Sequence, residues 1–95
     1  MRHIENYGFY VANNKLFVIQ YEDKNRLKVL KHLSLKIDDL IMMVDGKEPN
    51  LIFHIHKDDS SYKATLKLDN IEFAKELLSN ISDVIADYHN DLKIR

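Results

Sequence analysis

The chain has 95 residues, of which 45% are hydrophobic and 31% charged, and its formal net charge is −1. That length fits one domain, and the apolar content excludes a chain too polar to bury a core. The absence of cysteine excludes disulfide staples, a thiol nucleophile and thiolate metal ligation.

The first ten residues, MRHIENYGFY, lack the apolar core and small-residue cleavage site of a signal peptide. No apolar run approaches the ~18–20 residues of a membrane-spanning helix, so a cytoplasmic protein is expected. The net charge conceals an asymmetry. Residues 1–37 hold seven basic groups against three acids, or +4, and residues 38–95 hold seven against twelve, or −5.

Residues 7–21, YGFYVANNKLFVIQY, read as two strands joined at Asn13-Asn14. Asparagine tolerates the left-handed backbone that a tight type I′ turn requires. The turn sets the register: Ala12 faces Lys15, Val11 faces Leu16, Tyr10 faces Phe17 and Phe9 faces Val18. One face then carries Tyr10, Phe17, Ile19 and Tyr21, and the other carries Tyr7, Phe9, Val11, Leu16 and Val18. Both are apolar, and a domain this small has difficulty covering two such faces. The expectation is that Tyr7, Phe9, Val11, Leu16 and Val18 are anchors for a protein partner or for a second copy in a homodimer.

Residues 24–37, KNRLKVLKHLSLKI, fit a turn or short helix over 23–30 and a strand over about 32–37. Five cations stand here with no acid among them: Lys24, Arg26, Lys28, Lys31 and Lys36. They form the candidate anion-binding segment. Further short strands are expected at LIMMV (40–44), LIFHIH (51–56) and YKATLKL (62–68), the last with Tyr62, Ala64, Leu66 and Leu68 inward. Asp69 is positioned to cap a closing helix, with Glu72 three residues on. Ile71, Ala74, Leu77, Leu78, Ile81, Val84, Ile85 and Tyr88 recur at steps of three and four and form its apolar stripe.

These elements predict an α+β fold: an antiparallel sheet or partly open small barrel of 5–7 strands, closed by one long C-terminal amphipathic helix. The segments SLKIDDLIMM, LIFHIHKDDSSYKATLKLDN and EFAKELLSNI resemble the later strands and closing helix of bacterial pleckstrin-homology-like domains. That family enters a strand through a step like Ile37-Asp38-Asp39-Leu40. The resemblance implies a seven-stranded partly open barrel plugged by the helix, and a binding role. The tryptophan usual in eukaryotic members is absent. The loop that carries lipid-binding cations in phosphoinositide-binding members would here hold Lys15 alone.

Chemistry-bearing constellations are sparse. His54 and His56 share a strand face, but no third metal ligand is defined and lysines neighbour them, so no metal or other cofactor is expected. Asp38-Asp39 and Asp58-Asp59 suit turns, where aspartate bonds its own backbone. No nucleophile–base pair and no glycine-rich loop is present, so the chain does not read as an enzyme. No aromatic residues interleave with the 24–36 cations, as a single-strand platform would require. The expected function is a small protein–protein interaction module. A chain of this size rich in Lys, Asn and Ile also suits a low-GC bacterium or its phage, where such proteins act as inhibitors of a host protein. The alternative is a nucleic-acid or anionic-ligand binder using the basic segment.

Overall fold

The computed structural model describes residues 1–94. It is an α+β fold of seven strands and one helix, in which the strands form two separate antiparallel sheets and neither closes into a barrel. The expected barrel is therefore replaced by two open sheets of four and three strands. The chain divides into two compact units, one comprising residues 1–37 with the helix from Val84 onward, the other residues 38–83.

In the first unit, strands β1 (Arg2–Ile4), β2 (Tyr7–Ala12), β3 (Lys15–Tyr21) and β4 (Val29–Lys36) lie side by side in chain order. The β2–β3 hairpin has the register its turn demands: Ala12 opposite Lys15, Tyr10 opposite Phe17 and Phe9 opposite Val18. Asn13 and Asn14 both take the left-handed backbone, at φ 52° and 61°. The turn is pinned twice more. The Asn14 carbonyl accepts from Ile37 N–H at 3.2 Å, and Asn14 N–H donates to the Tyr88 hydroxyl at 2.9 Å.

Residues 22–28 form a turn rather than a helix, and the following strand begins at Val29, three residues before its expected start. Asp23 accepts from Asn25 N–H through its carboxylate (2.9 Å), and Glu22 N–H donates to the Lys28 carbonyl (2.8 Å). A bulge opposite Gln20 and Tyr21 leaves Leu30 as the extra residue in β4. The short strand β1 was not expected at all, because three residues are too few to show alternation.

In the second unit, β5 (Leu40–Val44), β6 (Asn50–Lys57) and β7 (Ser60–Lys67) form a meander. Leu51, Phe53, Ala64, Leu66 and Leu68 are buried, while Tyr62, expected inward with them, is exposed near the β6–β7 turn. Helix α1 (Ile71–Ile94) begins in this unit, with Ala74, Leu77 and Ile81 fully buried. Its cap is Asn70, whose side-chain oxygen accepts the Phe73 N–H at 2.8 Å. Asp69 stands one residue too early, since the capping side chain must reach the second or third helical N–H.

Among the described residues, no helix is long and apolar enough to cross a membrane.

Candidate functional site

The two faces of the first sheet have different fates. Tyr7, Phe9, Leu16 and Val18 are buried and Val11 is half-buried, so this face belongs to the core rather than to a free docking surface. The reason lies in β4. Val18 is paired with Leu33 and Leu16 with Leu35, which extends that face with two more buried leucines. The intervening His32, Ser34 and Lys36 point the other way and are exposed. A sheet buries the side on which all its strands are apolar, and only one side qualifies. Tyr7 brings its hydroxyl into that core with a partner, since Gln20 Nε2 donates to it at 3.2 Å.

The opposite face is open. Tyr10, Phe17, Ile19 and Tyr21 are half-buried there, and Val29, opposite Tyr21, is exposed. Tyr10 and Phe17 stack across the strands with ring centroids 4.8 Å apart and planes 14° apart, and the His32 ring lies 6.2 Å from Phe17. Gly8 contributes no side chain, and the space is taken by residues nearer the N-terminus. A Cβ at Gly8 would lie 2.7 Å from Met1 Sδ and 3.1 Å from His3 Cδ2. His3 is exposed, and slight desolvation of its ring, then the charge of Arg26, hold its pKa below the ordinary value.

Lys15 and Lys36 stand directly opposite each other at one end of this face, and both are exposed. Like charges in that position are destabilising unless an anion lies nearby. The strand residues that share this face include no carboxylate. The arrangement is an aromatic-aliphatic surface with a basic rim.

The five cations of the sequence-predicted anion site are all exposed, but they do not converge. Lys24 Nζ pairs with Glu5 at 2.8 Å, and that hydrogen bond raises the Lys24 pKa. The Arg26 guanidinium donates to the Glu5 carbonyl at 2.9 and 3.2 Å, so both residues clamp the 22–28 turn to the β1–β2 turn. Lys28 lies in the turn, while Lys31 and Lys36 are five apart on β4 and leave on opposite faces. Only Lys36 joins the open face. Lys15 joins it from outside the segment, and only the pairing register shows this.

His54 and His56 approach edge to face at 6.0 Å. Among the described residues, no group of three or more His, Cys, Asp or Glu side chains is placed to hold a metal ion. Comparison of the chain with protein-family models, with curated proteins and with solved structures finds no match.

Proposed function

We propose that the chain is a non-enzymatic protein-binding module whose contact surface is the open face of the four-stranded sheet. The single observation that carries this reading is the composition of that face: Tyr10, Phe17, Ile19, Tyr21 and Val29 beside the opposed pair Lys15 and Lys36, with no acid on the strands. Aromatic side chains supply contact area at low entropic cost, and the cations select an acidic partner surface.

The occupant is a different, acidic protein rather than a second copy. The same face of a second copy would offer Lys15 and Lys36 no carboxylate, since the strand residues of that face include none. A homodimer through Tyr7, Phe9, Leu16 and Val18 would require those residues to leave the core.

One observation favours a second reading. Stacked aromatics beside lysines on a four-stranded sheet are also the elements of a platform for single-stranded nucleic acid. Amide shift mapping with the acidic copolymer poly(Glu,Tyr) and, separately, with decathymidylate distinguishes the two. The protein reading predicts shifts at Tyr10, Lys15, Phe17 and Ile19 with the copolymer, and a loss of affinity of about tenfold or more in Phe17→Asp with the fold intact. Tighter binding of decathymidylate on the same residues replaces it with the nucleic-acid reading. No shifts on this face with either probe overturn both.

A further inference from the structure

Lys15 and Lys36 stand opposite each other, and neither has an ion-pair partner among the described residues. On the other side of Lys15, across on β2, is Ala12, whose side chain is only a methyl group. The next row of the same face carries Ser34 opposite Phe17, with Tyr10 stacked on the Phe17 ring. Lys15, Ser34 and Lys36 are all exposed. Two ammonium groups and a hydroxyl therefore stand together beside an aromatic pair, on a face whose strand residues include no carboxylate.

We infer that the acidic group this face reads is the phosphoryl group of a phosphotyrosine in the partner protein. This rests on the protein-binding reading above and names the partner's chemistry at that site. Lysines placed directly opposite repel each other, and one group that neutralises both relieves more of that cost than a group that neutralises one. A carboxylate brings a single charge, and so does the phosphodiester of a nucleic acid. A phosphomonoester brings about −1.5 to −2 at pH 7 and three strong acceptor oxygens. Those match two ammonium groups and a hydroxyl, and such charge-assisted bonds are the strong ones.

The neighbouring row selects the carrier. Residues two apart on a strand share a face and are separated by about 6.7 Å. A ring packed against Tyr10 and Phe17 can therefore aim its para substituent at Lys15 and Lys36. Phosphoserine carries no ring and would leave the aromatic pair uncovered.

The test uses the full chain and the peptide acetyl-Gly-Glu-phosphotyrosine-Glu-Gly-amide, with tyrosine and phosphoserine versions as controls. Binding is read by amide shifts. The inference predicts shifts at Lys15, Phe17, Ser34 and Lys36, and affinity for the phosphotyrosine peptide about tenfold or more above either control. That preference should collapse in Lys15→Gln/Lys36→Gln. It should survive in Lys63→Gln/Lys67→Gln, which removes the same charge from exposed positions of the second sheet. Equal binding of the tyrosine and phosphotyrosine peptides, or equal loss in the two double variants, overturns the phosphoryl site. Equal binding of the phosphoserine peptide overturns the aromatic carrier. In each of these cases the open-face reading stands if poly(Glu,Tyr) still shifts Tyr10, Phe17 and Ile19. If neither the phosphotyrosine peptide nor poly(Glu,Tyr) shifts any residue of the first sheet, both readings fall.

Discussion

Phe9 and Phe17 sit on adjacent strands of one hairpin, yet Phe9 is wholly buried and Phe17 lies on the open face. The same substitution should therefore have very different effects at the two positions. Phe9→Ala leaves a cavity and should cost about 3–5 kcal/mol. Phe17→Ala, losing a partly solvated ring and its stack on Tyr10, should cost about 0.5–1.5 kcal/mol. Urea denaturation of the two variants measures both; equal losses would show that the faces are misassigned. His3 belongs to the same scale. Its folded-state pKa lies below the ordinary value of 6.5, so the folded protein binds that proton less readily than the unfolded chain. The resulting contribution to stability is present above the unfolded pKa and lost as pH falls through the folded one. Acidification should thus lower the melting temperature of the native chain more than that of His3→Gln, and a steeper pH dependence in the variant would contradict the assignment. At Gly8 the backbone does not require glycine, since its φ is not positive. The nearest atom to an added Cβ is the thioether of Met1, which is exposed and free to move. Gly8→Ala should leave thermal stability nearly unchanged.

At the scale of elements, the hairpin was legible from two asparagines, because the turn type they permit sets every cross-strand pair. The closing helix was legible from its stripe, and the strands of the second sheet from alternation. The choice of face was not legible from the hairpin alone, where both sides are apolar. The deciding signal was present in HLSLK (residues 32–36), whose alternation makes one side of β4 greasy and the other polar. Using it requires knowing that β4 pairs with β3 through Val18–Leu33 and Leu16–Leu35, and that register depends on a bulge with no local signature. The cap was misplaced by one residue for a similar reason, since adjacent Asp69 and Asn70 are both competent and the start of the helix selects between them. Asn70→Ala should destabilise by about 0.5–2 kcal/mol, and Asp69→Ala by much less. Tyr88→Phe removes the acceptor for Asn14 N–H and should cost about 0.5–1.5 kcal/mol in the same denaturation assay.

For the whole molecule, the distribution of charge matters more than its total. The +4 of residues 1–37 coincides with the sheet that carries the open aromatic face, and the acids are concentrated in the remainder. The proposed acidic partner would thus be steered toward one part of the chain, and its association should slow as salt rises, since exposed charges are screened over about 10 Å at 0.1 M ionic strength. The five-cation segment was conspicuous in the sequence but is divided by structure, with Lys24 and Arg26 tied to Glu5 and the strand lysines sent to opposite faces. What gathers instead is Lys15 beside Lys36, a pair that only strand pairing creates. The most direct test of the central claim is the amide shift map of the labelled chain on addition of poly(Glu,Tyr). The account predicts a contiguous set of shifts at Tyr10, Lys15, Phe17, Ile19 and Lys36, absent in Phe17→Asp. Shifts confined to residues 38–83, or persisting unchanged in that variant, would contradict it.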